Sequence, residues 1–277
     1  PDPTQPATAP GPENDFCDYV DWLVAATKRL GFYAILLPTW GSGVAGNYAG
    51  VPDDGVVFNP DNARTYGRWL GDRYRAEPHL LWMLGGDRPA LYPKTGRDTR
   101  PVIRALAAGL REGDPAALLS YYSAKLALQS GDTFHADDWL AFNSIQHWPE
   151  DQVRAITRDW QRPPPKPTWI FEGRYEGYWK NKYKADDWGE WQTRQQSWPT
   201  VLAGAFGHTY GHERVFGFGH DGADWRTFLD APGARSLTQL VRLMDWLAAG
   251  GAPSLVPDPS LIAGDPGRAE RLKSDLI

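Results

Sequence analysis

"LLWMLGGDRP", residues 80–89, is a continuous apolar run that stops at two glycines and is followed by an acid, Asp87. Unbroken apolar runs are typical of strands in a parallel sheet, because both faces of such a sheet are covered. Glycine allows a sharp turn and a close approach of other groups at a strand end. Asp87 is therefore expected to face the mouth of the sheet. Since Pro89 follows, Asp87 as the N-cap of a helix is the alternative.

Similar apolar runs alternate with helical patterns along the chain. The other strand-like segments are "FYAILLPTW" (32–40), "ALLSYYSA" (117–124), "DDWLAFNSIQHW" (137–148), "PPKPTWIFEGRYE" (164–176) and "HTYGHERVFGF" (208–218). The helical patterns cover residues 16–31, 62–75, 100–113, 149–161 and 191–206. This alternation predicts a parallel sheet. Because no G-x-G-x-x-G follows an early strand, the predicted fold is α/β of the (β/α)8 TIM-barrel type, with about six recognisable β/α units.

Polar or aromatic side chains stand at the C-terminal ends of these runs. The five positions are Trp40, Asp87, His135, Gln146 and Glu172. The C-terminal ends of barrel strands carry the active site. We therefore expect these side chains to line a functional pocket.

Composition excludes several classes of function. The net charge of −5 disfavours a nucleic-acid partner, which requires a basic face. No apolar run approaches the roughly 20 residues that span a bilayer, so no membrane partner is predicted. A single cysteine, Cys17, rules out an intrachain disulfide and a multi-cysteine metal site. The 14 tryptophans indicate either a large aromatic core or ring faces that stack on sugars.

Glu172 directly follows the apolar run "PTWIF", where an unpaired carboxylate is costly to bury. A structural ion pair with Arg174 is one explanation, and a catalytic role is the other. About three β/α units of roughly 30 residues separate Asp87 from Glu172, which places the two acids nearly across the mouth of an eight-stranded ring. Two carboxylates facing each other across a pocket are what glycoside hydrolysis requires.

Other chemical patterns are weaker. His208 and His212 in "HTYGHE" have the spacing of a metal pair on a helix, but Gly211 between them favours a loop. Neither a G-x-S-x-G sequence nor a P-loop occurs. We predict no metal and no cofactor.

Several ordered segments resemble the apiosidase-like glycoside hydrolases, in which a TIM barrel is usually followed by a small β-sandwich. They are "YVDWLVAATKRLGFYAILLPTWG", "LLWMLGGDRP", "FHADDWLAFNSIQ", "FEGRYEG" and "LAGAFGHTYGHERVFGF". The resemblance runs from about Asp15 to about Ile262. It implies a carbohydrate substrate from plant or microbial material, with a furanoside as one candidate, and favours a secreted or periplasmic location.

The resemblance also implies roles for individual residues. Asp87 would be the acid/base of a retaining mechanism and Glu172 the nucleophile, with Glu176 as the alternative nucleophile. From its place four residues after Glu172, Glu176 is otherwise either an acid that supports the catalytic residues or a sugar-binding acid. The remaining expected substrate-binding residues are Trp40, Arg88, His135, Gln146, His147, Tyr175, His208 and Tyr210. A catalytically silent sugar-binding protein and a transglycosidase are the alternative functions.

The ends of the chain differ from the family pattern. "FYAILLPTW" resembles the family's third strand, and the first two units and the C-terminal sandwich have no counterpart. Because six units cannot close an eight-stranded ring, we expect an open barrel wall or missing strands supplied by another chain or segment. The expected organisation is a proline-rich leader (1–13), a catalytic barrel domain (14–262) and a C-terminal tail (263–277).

Overall fold

The computed structural model describes residues 15–47, 51–52, 55–124, 128–147, 149–177, 188–219, 222–250 and 256–258. The chain forms two compact units, residues 1–144 and 145–277. The expected leader and tail lie outside the described residues, and the domain organisation stays a prediction.

The first unit contains a parallel sheet covered by helices. Its strands are β1 (Ala34–Leu36), β2 (Leu80–Gly85), β3 (Leu91–Tyr92), β4 (Arg97–Asp98) and β5 (Leu119–Tyr122). Its helices are α1 (Asp15–Arg29), α2 (Ser42–Ala45), α3 (Pro60–Tyr74), α4 (Arg100–Gly113) and α5 (Ser130–Phe134). Strand β2 pairs in parallel with both β1 and β5, whereas β3 and β4 form a short antiparallel pair. The C-terminal ends of β1, β2 and β5 therefore lie at one edge of the sheet.

Local sequence explains why α3 and α4 form. Asn59 caps α3, since its side chain accepts hydrogen bonds from the N–H groups of residues 61 and 62, and Pro60 fits the first helical position. In α4 the buried residues Ile103, Leu106 and Leu110 recur at helical spacing. They join a continuous apolar core with the strand residues Trp82, Leu84, Leu119 and Tyr121 and with Phe134.

The second unit has the same alternation but a smaller apolar core. Strand β6 (Asn143–Gln146) spans the boundary between the units, and α6 (Pro149–Trp160), β7 (Thr168–Glu172), α7 (Glu190–Leu202), β8 (Gly207–His208), α8 (Glu213–Phe216) and α9 (Pro232–Ala249) follow. A 3₁₀ turn covers Trp225–Phe228. The sheet order is β6-β7-β8, and β8 runs parallel to β7. The apolar core consists of Ile145, Ala155, Ile156, Ile170 and Ala205.

The six predicted strands and the five predicted helices all occur within the described residues. The predicted end of the last of these helices at Phe206 is wrong, because α7 ends at Leu202. Gly204 adopts a φ of +105°, and the Phe206 N–H already donates to the Thr168 carbonyl of β7. Helix α9 is an element that the strand–helix pattern did not include. Among the described helices none is both long and apolar enough to cross a bilayer.

Candidate active site

The end of β2 is shaped by two glycines that lie against aromatic residues. A Cβ on Gly85 would lie 2.6 Å from the Tyr121 ring, and one on Gly86 would lie 3.1 Å from the Trp40 ring. The Trp40 ring meets the Tyr122 ring edge-on, with 5.8 Å between centroids. Trp40 follows β1 and Tyr122 ends β5, so the ends of three neighbouring strands meet here. The glycines are required because a Cβ on Gly85 would also lie 2.5 Å from the Tyr122 carbonyl oxygen, and one on Gly86 would lie 2.7 Å from the Gly41 nitrogen.

Asp87 itself has a backbone φ of +51°, in the left-handed region that only glycine, Asn and Asp adopt readily. No helix begins there, since residues 91–98 form the β3–β4 pair and α4 begins at Arg100. The helix N-cap interpretation of Asp87 is therefore wrong. The side chain is 22% exposed, so this carboxylate is partly open to solvent.

Arg88 is directed into the protein and contacts main-chain atoms. Its Nη1 donates to the Asp87 carbonyl at 2.8 Å and its Nε donates to the Gly46 carbonyl at 3.2 Å. Nη1 also lies 4.0 Å from Asp87 Oδ2. The Tyr121 hydroxyl in turn donates to the Arg88 carbonyl at 2.7 Å. Arg88 therefore fixes the loop and places a positive charge beside the Asp87 carboxylate.

The remaining predicted polar residue of the first unit is His135, which is buried at the end of α5. Its Nδ1 lies 3.3 Å from the Asn143 side-chain oxygen. In the second unit, Gln146 is buried at the end of β6. His147 follows, with Nδ1 3.6 Å from an Asp151 carboxylate oxygen. Its carbonyl accepts a hydrogen bond from Gln152.

Glu172 is the last residue of β7, and its carboxylate is hydrogen-bonded within its own loop. The Tyr175 hydroxyl donates to Glu172 Oε1 at 2.8 Å. Arg174, the expected ion-pair partner, has its guanidinium carbon 4.6 Å above the centre of the Trp188 ring. Glu172 is only partly buried. Its carboxylate is thus oriented by Tyr175 at the C-terminal end of a parallel strand.

Glu176 is buried, with 5% of its surface exposed. Both of its carboxylate oxygens accept from the Gly233 N–H at 3.0 Å, and the Tyr210 hydroxyl donates to Oε2 at 2.6 Å. Burial, followed by the bond to Glu176, raises the pKa of Tyr210, so Tyr210 remains the donor. Gly233 is the second residue of α9, whose N-terminus favours a negative charge.

The two histidines of "HTYGHE" have separate surroundings. His208 ends β8 with Nδ1 3.4 Å from the Thr200 hydroxyl of α7, and burial lowers the pKa of His208 to about 4. His212 caps α8 by accepting the Arg214 N–H at Nδ1, and its ring stacks on Phe228. Burial also lowers the pKa of His212. Both rings are therefore neutral near pH 7, and the described residues contain no cluster suited to a metal.

These contacts give the two acids near strand ends, Asp87 and Glu172, different surroundings. Asp87 is partly exposed and has an arginine beside it, and Glu172 is partly exposed and bound by a tyrosine. A carboxylate of this kind can transfer a proton or attack an electrophilic carbon. By contrast, the side chain of Glu176 is already occupied by three hydrogen bonds.

The sequence patterns did not predict the residues that support these acids. Tyr121 and Tyr122 occur as "YY" at the end of an apolar run, which was a visible indication of an aromatic wall. Gly233 lies far along the chain from Glu176 and had no local indication. Gln196 binds the main-chain N–H and carbonyl of Arg174, and it too had no local indication because the two residues are far apart in sequence.

The family model described as "Apiosidase-like, catalytic domain" matches residues 1–249 of the chain. This match confirms the resemblance seen in the separate sequence segments. No curated protein matches the chain significantly.

Solved structures agree with this assignment. A glycoside hydrolase superimposes with a TM-score of 0.70 at 25% identity, over 90% of this chain and 58% of that one. A glycoside hydrolase family 5 protein from Bacteroides vulgatus ATCC 8482 gives a TM-score of 0.71 at 25% identity, over 90% of this chain and 56% of that one. The chain thus spans less than two thirds of either relative.

The endo-beta-1,4-mannanase from Thermotoga petrophila is similar in fold alone. Its TM-score is 0.54 at 14% identity, over 81% of this chain and 61% of that one. Together with the parallel strands, these similarities confirm the α/β fold of TIM-barrel type. The family match covers most of the sequence, and the chain belongs to the apiosidase-like catalytic-domain family.

Proposed function

We propose that the chain is a glycoside hydrolase that cleaves a glycosidic bond in a plant or microbial oligosaccharide or polysaccharide. Family membership and the two glycoside hydrolases at 25% identity support this class of reaction. The observation that carries the proposal is the hydrogen-bonded carboxylate of Glu172 at the C-terminal end of β7. Strand ends of this kind carry the catalytic groups of barrel enzymes.

Glu172 serves as the nucleophile and Asp87 as the acid/base. One Glu172 oxygen forms a bond to the anomeric carbon while Asp87 donates its proton to the departing glycosidic oxygen. Asp87 then takes a proton from water, the water oxygen bonds to the anomeric carbon, and Glu172 leaves as a carboxylate. The Tyr175 hydroxyl donates to Glu172 Oε1 and so holds this carboxylate in one orientation.

The surrounding aromatic residues fit a carbohydrate ligand. Trp40 is 48% exposed and stands beside the Asp87 loop, where its ring face can stack on the C–H groups of a sugar. His135, Gln146 and His147 remain proposed substrate contacts, whereas Arg88 acts through the Asp87 loop that it holds. We do not extend this role to His208, because its ring is packed toward Thr200 of the covering helix α7.

Substitution of Glu172 tests the nucleophile. Glu172→Gln is expected to lower kcat/KM at least about 1,000-fold on a panel of 4-nitrophenyl furanosides and pyranosides while the protein stays folded. The matched control is Glu190→Gln, because Glu190 is an exposed acid of the same unit, paired with Arg194 at 3.4 Å. Full activity of Glu172→Gln would exclude the assignment. Binding of sugars by calorimetry without any product would instead identify a catalytically silent binding protein.

Asp87→Asn tests the acid/base by its dependence on the leaving group. Turnover of substrates with poor leaving groups should fall about 1,000-fold, whereas 4-nitrophenyl substrates should be much less affected, since their departure needs little protonation. Asp98→Asn is the control, since Asp98 is paired with Arg100. Equal losses on both substrate types would contradict the role. NMR of the first-formed anomer reports retention or inversion, and products formed with added acceptor sugars would reveal a transglycosidase.

A further inference from the structure

Glu176 has no role in the two-carboxylate reaction, yet it is bonded through both its main chain and its buried side chain. Its main-chain N–H donates to the Gly211 carbonyl at 2.9 Å, and its own carbonyl accepts from the Glu213 N–H at 2.9 Å. Its side chain binds Gly233 and Tyr210. One residue thereby joins the β7 loop to the β8 loop and to the first turn of α9.

Gly233 is adapted to this contact. A Cβ at Gly233 would overlap Glu176 Oε2 and lie 3.0 Å from the Thr193 hydroxyl. Only glycine therefore lets the α9 N-terminus approach the carboxylate. Glycine in a helix otherwise costs backbone entropy on folding. The space beside Gly233 is thus filled by the Glu176 side chain.

The bonds of Glu176 reach Glu172 through Tyr175. The Tyr175 ring lies against Gly211, because a Cβ there would be 2.6 Å from the ring. Phe216 contacts the other part of this ring, with 5.5 Å between the centroids. The Glu176 main-chain N–H donates to the Gly211 carbonyl, and its carboxylate accepts from the hydroxyl of Tyr210, the residue before Gly211. The carboxylate thus helps to hold in place the surface that supports Tyr175. The hydroxyl at the end of that ring is the donor to Glu172.

We propose that Glu176 is a positioning residue that holds Tyr175, and through it the Glu172 carboxylate, in the geometry for attack. This inference rests on the proposed glycosidase function. Among the three roles expected for Glu176, it selects the supporting one over sugar binding and over the nucleophile. A nucleophile needs an oxygen free to attack, whereas both Glu176 oxygens are bound and the residue is buried. A sugar contact would have to break these bonds first.

The test compares four variants with wild type. Glu176→Gln keeps the shape and an acceptor for the Gly233 N–H, whereas Glu176→Ala removes the contact. Gly233→Ala displaces the carboxylate without changing it, and Tyr210→Phe removes one donor if Gly233→Ala fails to fold. Asn59→Ala in the first unit is the control, since it removes a helix cap distant from this loop in sequence. Each variant is assayed for kcat, KM and Tm on the most active 4-nitrophenyl glycoside of the panel.

A second measurement does not depend on turnover. Glu172 is coupled to glycine ethyl ester with a carbodiimide, and the rate of modification is followed by peptide mass spectrometry. Positioning predicts that Glu176→Ala and Gly233→Ala lower kcat about 30- to 100-fold with KM nearly unchanged, as expected for a misplaced reacting group. The same variants should raise the modification rate of Glu172 several-fold. Glu176→Gln should retain kcat within about fivefold, and Asn59→Ala should lower Tm alone.

Three results would overturn the inference. If Glu176→Gln is as inactive as Glu176→Ala, Glu176 takes part in the chemistry. If KM rises and kcat is kept, Glu176 binds sugar. If Glu176→Ala behaves as Asn59→Ala does, with only Tm lowered and Glu172 modification unchanged, the contact is purely architectural. An inactive wild type would refute the proposed function instead, and the modification rates would then decide the positioning role by themselves.

Discussion

In each unit a helix covers a parallel sheet, but the buried side chains of the two helices differ in chemistry. In the first unit every buried residue of α4 is apolar or glycine: Ile103, Leu106, Ala107, Gly109, Leu110 and Gly113. In the second unit every buried residue of α7 is polar: Thr193, Gln196, Ser197 and Thr200. Both helices cover strands of a parallel sheet. One unit is therefore held mainly by apolar contact and the other to a large extent by internal hydrogen bonds.

Helices α3 and α4 approach so closely that their main chains touch. Gly67 and Gly71 on α3 and Gly109 and Gly113 on α4 are each four residues apart. A Cβ on any of these four glycines would overlap a carbonyl oxygen of the facing helix. The spacing places each pair on one helix face, which gives a smooth surface along the contact.

The buried polar side chains of α7 all have hydrogen bonds to main-chain carbonyls. Ser197 and Thr200 donate to carbonyls of the preceding turn of α7, at 2.9 and 3.0 Å. Gln196 reaches the β7 loop, where it accepts from the Arg174 N–H at 3.1 Å and donates to the Arg174 carbonyl at 2.7 Å. Apolar contact tolerates small shifts, whereas hydrogen bonds do not. The polar interior thus suits the unit that must orient Glu172.

The largest expected effect is on the glycine contact of the first unit. Ala is normally the better helix former by about 1 kcal/mol, so a Gly→Ala change in a helix usually stabilises. At Gly109 the sign should reverse, because the new methyl group overlaps the Arg64 carbonyl of α3. We expect Gly109→Ala to lower the free energy of unfolding by about 4 kcal/mol, as measured by urea denaturation. Thr65→Ala, on an exposed position of α3, should change it by less than about 0.5 kcal/mol. A stabilised Gly109→Ala would show that the helices are further apart.

The second effect is a pH dependence of the free energy of unfolding that arises from His208 in the second unit. Burial lowers the pKa of His208 to about 4, against about 6.5 in the unfolded chain. Between these values the unfolded state binds a proton that the native state does not, so stability is complete above pH 6.5 and falls as the pH falls toward 4. The loss is on the order of 3 kcal/mol.

His208→Gln should flatten this slope, because the side chain no longer titrates. Urea unfolding between pH 4 and 8 measures the slope of the free energy of unfolding against pH. At pH 8, the reference, His208 is neutral in both the native and the unfolded state. Burial also lowers the pKa of His212, which adds a residual slope of the same sign. Parallel curves for wild type and His208→Gln would contradict the burial of this ring.

The third prediction concerns the aromatic wall at the end of β2. Gly86 has a φ of +133°, and a Cβ there would lie 2.7 Å from the Gly41 nitrogen and 3.1 Å from Trp40. Gly86→Ala is expected to cost about 2–3 kcal/mol and to reduce kcat about 100-fold by moving Asp87. Gly96→Ala is the matched control, since Gly96 also has a positive φ but nothing lies within 4 Å. It should cost only about 1 kcal/mol in backbone strain, with kcat retained. Equal losses for the two variants would show that strain alone matters.

The same contrast between the units explains what could be predicted from the sequence. The strands and α4 follow from local apolar patterns, and Asp87 and Glu172 were found because each directly follows an apolar run. Helix α7 was also predicted, but its predicted end at Phe206 was wrong. The chain leaves the helix near Gly204, whose φ is +105°, and the apolar pattern of the sequence does not indicate such a turn.

What the sequence could not show is the set of contacts between distant positions. The sequence left Glu176 open between a supporting acid, a sugar-binding acid and the nucleophile, because a glutamate near a strand end is compatible with each role. Its partners Gly233 and Tyr210 are brought to it only by the packing of α9 and the β8 loop. Local patterns report which face of an element is apolar. They do not report which distant N–H group a buried carboxylate will meet.

The fourth prediction removes one polar contact from the second unit. Gln196→Met keeps the volume but leaves the N–H and carbonyl of Arg174 without this partner, which should cost about 2 kcal/mol. Gln195→Met is the matched control on the neighbouring, exposed residue, and should change stability by less than about 0.5 kcal/mol. Thermal and urea denaturation measure both. If Gln196→Met is neutral or stabilising, the polar interior contributes no more than an apolar one of the same shape.

The smallest effect has the opposite sign and separates stability from activity at Asp87. Asp87 adopts a φ of +51°, where glycine carries no steric penalty, so Asp87→Gly relieves strain. We expect the free energy of unfolding to rise by about 0.5–1 kcal/mol by urea denaturation, although kcat is lost with the carboxylate. Asp98→Gly in β4 is the control and should be destabilised by a similar amount, since Asp98 is bonded to Arg100 and lies in a strand. A destabilised Asp87→Gly would mean that the carboxylate stabilises its loop through Arg88. Asp87 would then contribute to the architecture of the first unit as well as to its chemistry.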